Sequence, residues 1–388
     1  MIYIHVPFCK SFCIYCDFYS EIAADGMAEA YTREICAEIK RRAGEMDDSL
    51  KTLYFGGGTP SVLPLGCLTR ILLALEEAGH GGPYQEFTLE VNPDDIVERG
   101  VGYVRSLMAL GMNRLSIGVQ SFDDGLLKWM NRRHDAAKAK EAFRIVREAG
   151  IGNISVDLIF GFSNLSDEMW ANTIDQVLEL GPEHISCYQL TIEGDNVLAH
   201  RLENGEYEEA SEEVCRGQYD LLCTKLAAAG YRHYEISNFA KPGYESRHNL
   251  KYWLGEEYVG FGPAAASDFA GKRYTYRPDL GTYIRGLLSQ DVSILSECET
   301  IPPRERAGEY VMLRLRTSRG ISPEEYEKSY LMPFEPLLNV IRPMAESGYF
   351  LFQGGRWRLT PEGFLLSNQI IARLQEAQEQ SEPLAKKR

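Results

Sequence analysis

Nowhere in its 388 residues does the sequence have an uninterrupted apolar run of about 18–20 residues, the length needed to cross a bilayer. Its N-terminus, MIYIHVPFCK, also lacks the basic and then apolar layout of a signal peptide. A cytoplasmic protein that is not integral to a membrane is the expectation. Positive charge is scarce: 41 Lys and Arg stand against 56 Asp and Glu, a formal net charge of −15. That balance argues against a dedicated nucleic-acid binder, whose hold on phosphate rests on Lys and Arg. The nine cysteines, an odd number scattered over a long chain, do not make an extracellular disulfide framework. The glycine-rich GGGTP at 56–60 lacks the Lys-Ser/Thr of a P-loop and is not GxGxxG, so phosphate is not its implied guest.

What remains is an ordinary globular composition: 44% apolar, 25% charged and 11% aromatic. The length suits one large domain plus a smaller one. Runs rich in β-branched and aromatic residues recur at wide spacing: IYIHV, TLYFGGG, FTLEV, RLSIGVQ, ISVDLIFGF and ISCYQLTI. Between them lie segments of helical period, such as AEAYTREICAEIKRRA and DAAKAKEAFRIVREAG, several closed by Gly. Six strands alternating with helices predict parallel βαβ units. Unusual polar groups sit at successive strand ends: GGGTP after the second, Glu90 in the third, Gln120 ending the fourth and Asp157 in the fifth. Strand C-termini are where a β/α barrel gathers its function, so an incomplete barrel is favoured over a doubly wound sheet.

Three cysteines, Cys9, Cys13 and Cys16, follow the first strand as CxxxCxxC. A structural zinc site takes four protein ligands, and the next cysteine, Cys36, falls in a predicted helix. A 4Fe–4S cluster is held by thiolates, and three of them would leave one iron open to a ligand. Spacing alone leaves both readings standing, beside a chance grouping.

CxxxCxxC after the first strand, GGGTP after the second and polar groups at later strand ends together resemble the radical S-adenosylmethionine (SAM) superfamily over about residues 1–200. In that family three cysteines hold a 4Fe–4S cluster, the fourth iron chelates the methionine moiety of SAM, and reduction yields a 5′-deoxyadenosyl radical. The resemblance implies Cys9, Cys13 and Cys16 as cluster ligands. It also implies a SAM site in which carbonyls near Gly57, Gly58 and Thr59 meet the ammonium group. Glu90 would hold the ribose or the amino end, Arg132 the carboxylate, Asp157 the ribose hydroxyls, and Gln120 both. YIHVPFCKSFCIYCDF, YFGGGTPS, LEVNP, LSIGVQSF, VDLIFGF and YQLTIE narrow the match to the branch around oxygen-independent coproporphyrinogen III oxidase. There, the tyrosine six residues before the first cysteine, here Tyr3, lies beside the cluster and SAM, and the aromatic before the third, here Tyr15, also lines the SAM site.

Two features separate the sequence from that oxidase. The oxidase has a fourth cysteine two residues after the third, where Phe18 stands here. It also carries an N-terminal extension, for which a strand beginning at Ile2 is expected to leave no room. A third feature, HNLKYW at 248–253, is similar to the HNxxYW motif of the branch's haem chaperones. Imidazole is a common axial ligand of haem iron. His248 is therefore expected to ligate haem, Asn249 to orient it, and Tyr252 and Trp253 to offer flat faces. His5 and His233 have no such context and are expected to be structural.

The fold expected is α/β. An incomplete (β/α)6 radical-SAM barrel spans 1–200, an irregular α/β extension carrying HNxxYW spans 201–297, and a small winged-helix-like domain spans 298–388. Over 301–388 the charges nearly cancel, 13 Lys and Arg against 11 Glu, so docking or structure is expected there rather than DNA binding. The resemblance implies a haem carrier more than an enzyme, with a 4Fe–4S cluster, SAM and haem as cofactors. Its partners would be haem and haem-acceptor proteins, membrane respiratory proteins among them, with monomer or dimer left open. The alternatives are the oxidase itself, a methyltransferase using two SAM molecules, or an anaerobic haem-opening enzyme.

Overall fold

The computed structural model describes residues 1–46, 51–289 and 295–384. Six strands form its spine: β1 (Ile2–Val6), β2 (Thr52–Gly57), β3 (Glu86–Val91), β4 (Arg114–Gln120), β5 (Ile154–Phe160) and β6 (His184–Gln189). Each is parallel to the next, as the βαβ pattern requires. The incomplete barrel expected from the sequence is the fold observed.

Side chains alternate across each strand, and here the alternation is between chemistries. Ile2, Ile4, Leu53, Phe55, Leu89, Leu115, Ile117, Ile154, Val156 and Ile185 are buried in the core. Covering helices include Met27–Arg41, Leu65–Glu77, Pro93–Ala109, Ala136–Ala149 and Asp167–Leu180. Each fully buried aliphatic side chain contributes about 1.5–3 kcal/mol, so this layer holds the scaffold. The other parity, which carries Tyr54, Glu90, Arg114, Ser116, Asp157 and Ser186, faces a pocket inside the barrel. The inner face is thus largely polar.

Residues past 200 complete the same sheet. Strand β8 (Asn238–Ala240) adds antiparallel to β6, β7 (Arg232–Glu235) pairs antiparallel with β8 at the sheet edge, and β9 (Val259–Phe261) adds parallel to β1. The helix Arg247–Trp253 packs at the N-terminal ends of the strands, opposite the mouth. There Glu86, which opens β3, accepts from the backbone N–H of Arg247 (2.8 Å) and His248 (2.9 Å) and from Ser246 Oγ (3.2 Å). A carboxylate on the first N–H groups of a helix satisfies donors that have no intrahelical partner.

The last part of the chain has helices Pro303–Leu315, Pro323–Tyr330 and Glu335–Glu346, a hairpin of Phe350–Gln353 and Arg356–Leu359, and helix Ser367–Glu379. This is the order expected of a winged helix. It is tied to the sheet edge by backbone bonds from Ile236 N–H to Arg316 O (2.9 Å) and from Ser318 N–H to Tyr234 O (2.9 Å). Among the described residues no helix is long and apolar enough to cross a membrane.

Candidate functional site

The C-terminal ends of the strands open into a pocket of about 450 Å³. Cys9, Cys13 and Cys16 lie in its wall, on the loop after β1. That loop is pinned from the far side of the mouth: Ile14 N–H donates to Met130 O (3.2 Å) and Asn131 Nδ2 to Phe12 O (2.7 Å). All nine cysteines are free thiols. Cys9 Sγ is 3.4 Å from Thr59 Oγ1, and Cys13 Sγ accepts from Arg132 Nη1 at 3.2 Å. Burial, with the neighbouring thiols adding, pushes the Cys16 thiol up to about 11. A thiol so placed needs a cationic partner to become a thiolate.

Among the described residues, no three Cys, His, Asp or Glu side chains are arranged to hold a single metal ion. The Cys9 and Cys13 sulfurs have separate neighbours, Thr59 and Arg132, as corners of a cluster would. The donor set fits an iron–sulfur cluster with three protein ligands.

Beside the cysteines, GGGTP turns away from β2. Gly57 has φ +108, and a Cβ there would sit 2.6 Å from the His5 ring; one on Gly58 would sit 2.8 Å from Phe8 O. These glycines are therefore imposed by the crowding of β1 as well as by a close approach to a ligand. Gly58 N–H and Thr59 N–H donate to Val6 O (2.8 Å) and Phe8 O (2.7 Å), so the two loops are held together.

Glu90 accepts from Tyr54 OH (2.6 Å) and Gly57 N–H (3.2 Å). Burial, with the Asp157 charge adding, raises its carboxyl to about 7. Asp157, also raised by burial, accepts from Ser116 Oγ (3.0 Å) and Ser155 Oγ (3.3 Å). Arg132 crosses the mouth to Asn92 Oδ1 (2.7 Å) and Gly118 O (2.5 Å) as well as to Cys13. Gln120 sits at φ +66, where a bulge interrupts the pairing of β4 with β5. Such a conformation in a residue with a side chain is strained and turns the strand end into the pocket. Tyr15, Gly57, Gly58, Thr59, Glu90, Gln120, Arg132 and Asp157 all line this one pocket with the three cysteines.

Tyr3 does not line it. Its hydroxyl is 3.1 Å from His5 Nδ1, and its ring forms part of a second cavity. His248, expected to ligate haem iron, lies buried against the strands. It is 1% exposed, with Nδ1 3.0 Å from Thr52 Oγ1 and Nε2 3.4 Å from Tyr252 OH. Asn249 instead reaches the mouth pocket from below, and Trp253 bonds to the buried carboxyl of Glu235. His5 and His233 are hydrogen-bonded to backbone oxygens in the interior, at Tyr19 and Ile236.

Arg114 is the functional candidate that motif reading missed. Its side chain is 1% exposed, lines the pocket and has no hydrogen-bond partner at Nε. Its charge lowers the carboxyl pKa of both Glu90 and Asp157. The signal was present in RLSIGVQ, where Arg114, Ser116 and Gly118 alternate with Leu115, Ile117 and Val119. A buried cation between two carboxylates balances their charge where water cannot.

Residues 3–177 match the Radical SAM superfamily, and 301–366 match the HemN C-terminal domain. The chain is 32% identical to the heme chaperone HemW of Lactococcus lactis over 370 residues, 95% of each chain. It is 32% identical to the heme chaperone HemW of Bacillus subtilis over 374 residues, 95% of this chain and 97% of that one. Coproporphyrinogen III oxidase (HemN) of Escherichia coli, a radical SAM enzyme, shares the fold with a TM-score of 0.83. That match covers 96% of this chain and 89% of the other at 22% identity. With a cysteine-lined barrel mouth, a matching C-terminal domain and relatives aligned over nearly their whole length, the chain belongs to the HemW family of the radical SAM superfamily.

Proposed function

We propose that the protein binds haem and passes it to acceptor proteins, on a scaffold that holds a 4Fe–4S cluster and SAM. The observation that carries this reading is the likeness, over 95% of the chain, to proteins named heme chaperone HemW. Cys9, Cys13 and Cys16 would hold the cluster. Arg132 would orient the carboxylate end of SAM, Glu90 and Asp157 its hydroxyl or ammonium donors, and Gln120 and the 57–59 backbone would complete the contact. Bound there, the pair would supply an electron donor beside a reducible sulfonium. The chain's own part is to fix these donors before binding. Arg132 spans Cys13, Asn92 and Gly118, so it couples the cysteine loop to the ligand wall.

Phe18 stands where the decarboxylating oxidase has its additional cysteine, and it is 68% exposed at the rim. An apolar side chain left in water there suits a hydrophobic cargo that comes and goes better than a closed reaction chamber.

The test is haem transfer. The reconstituted protein is loaded with one equivalent of haem and mixed with an apo-acceptor such as a cytochrome apoprotein. The expected result is a stable loaded complex whose haem spectrum converts to that of the acceptor on mixing. A protein that retains no haem through gel filtration would overturn the proposal.

A further inference from the structure

Asn92 follows β3 and stands at the N-cap of the helix Pro93–Ala109. At that position a side-chain oxygen ordinarily accepts from the helix's own first N–H groups. Asn196 does so in its helix, accepting from Ala199 N–H at 2.9 Å. Asn92 makes no such bond. Its amide is turned to the barrel mouth, where Oδ1 accepts from Arg132 Nη2 (2.7 Å) and Nδ2 donates to Thr59 Oγ1 (3.1 Å). A favoured cap residue that gives up its cap marks a position held for another purpose.

Both partners of that amide end on a cysteine of the cluster loop. Arg132 Nη1 donates to Cys13 Sγ (3.2 Å), and Thr59 Oγ1 lies 3.4 Å from Cys9 Sγ. The ends of this chain fix the direction of every proton along it. A guanidinium only donates, so the Asn92 oxygen faces Arg132 and its NH2 group faces Thr59. The Thr59 oxygen accepts there, which leaves its own proton for Cys9, and a thiolate can only accept it. Thr59 is 5% exposed, so little water competes for that proton.

Resting on the cluster reading above, we infer that Asn92 is a positioning residue: it aims one hydrogen bond at each of two cluster sulfurs and so raises the reduction potential of the centre. Hydrogen bonds to the sulfurs are among the determinants of an iron–sulfur potential. Reduction adds one electron, from an external one-electron reductant, and breaks no bond. Donors aimed at the sulfurs stabilise the more negative state and so favour its formation. Partners behind the ligands commonly orient them and tune the metal in this way.

The test is a potentiometric titration of the full-length, cluster-reconstituted protein without SAM, followed by electron paramagnetic resonance of the reduced cluster. Thr59→Val removes the donor to Cys9 and is expected to lower the reduction equilibrium constant about tenfold, or about 59 mV for a one-electron couple. Thr59→Ser should keep the wild-type potential, because the hydroxyl remains. Asn92→Asp matches the amide in shape but cannot donate. Thr59 would then turn its proton to the carboxylate, and the fall should be at least as large. Combining Thr59→Val with Asn92→Asp should add nothing to Asn92→Asp alone. Wild-type potentials in Thr59→Val and Asn92→Asp at full iron content would overturn the assignment and leave the cluster reading intact. Falls that add in the double variant would also overturn it, because the two residues would then act separately. Thr59→Val keeps the bond from the residue 59 N–H to Phe8 O, so it decides the matter where Asn92→Asp takes up no iron. A wild type that takes up no cluster would overturn the cluster reading, and this assignment with it.

Discussion

Replacing Cys13 by serine is expected to abolish the iron–sulfur absorbance of the reconstituted protein and to strip its iron almost completely. Cys36→Ser and Cys67→Ser are expected to keep both. The cluster loop presents its three thiols to one pocket, with Cys9 beside Thr59 and Cys13 beside Arg132. Serine at position 13 offers a far harder and more basic oxygen in place of a soft thiolate, and it also weakens the anchor for Arg132. Cys36 and Cys67 belong to the outer helix layer. Cys36 Sγ is 3.5 Å from Arg70 O and Cys67 Sγ is 3.5 Å from Glu29 Oε1, so neither faces the mouth. Iron content and absorbance after anaerobic reconstitution read the result. A full complement of iron in Cys13→Ser would contradict the ligand assignment.

The second large effect concerns Arg114 and pH. Glu90 can accept hydrogen bonds from SAM only with lone pairs free, which the ionised form provides on both oxygens. Its carboxyl is raised to about 7, mainly by burial. SAM affinity should therefore be highest above neutrality and fall as pH drops through about 7. Arg114 favours the charged form of both Glu90 and Asp157, so Arg114→Met should push the Glu90 carboxyl higher still. An upward move of one pH unit in the midpoint lowers affinity about fivefold at pH 7 and about tenfold, or about 1.4 kcal/mol, well below both midpoints. Glu90→Gln should flatten the profile. Equilibrium dialysis of labelled SAM across the range supplies the midpoints. A midpoint that stays put in Arg114→Met would remove Arg114 from the site.

The six barrel strands were legible because each is a β-branched or aromatic run bounded by helices with their own stops. Observed ends such as Arg114–Gln120 coincide with the run RLSIGVQ. The short strands Arg232–Glu235, Asn238–Ala240 and Val259–Phe261 were not legible. Three or four residues carry too little pattern, and it is pairing with β6, with β1 and with each other that makes them strands. Motif residues of the pocket were found at strand ends, where loops announce them. Arg114 lies at a strand's start, and only its long side chain brings it to the pocket.

The setting of His248 was not legible either. A histidine next to aromatics reads as a ligand from sequence. Glu86, 162 residues away in the chain, fixes the helix so that the imidazole points inward and Tyr252 faces the cavity. Long-range packing of that kind has no local signature.

The central claim, that this scaffold carries a tetrapyrrole and does not consume it, is tested most directly by a tetrapyrrole mass balance. Reconstituted protein, SAM and reductant are incubated anaerobically with haem in one vessel and with coproporphyrinogen III in another. The pigments are then separated by chromatography. The account predicts that haem is recovered intact and protein-bound and that no vinyl product appears. Vinyl porphyrin formed beyond one equivalent per protein, at a rate matching an authentic oxidase run alongside, would contradict it.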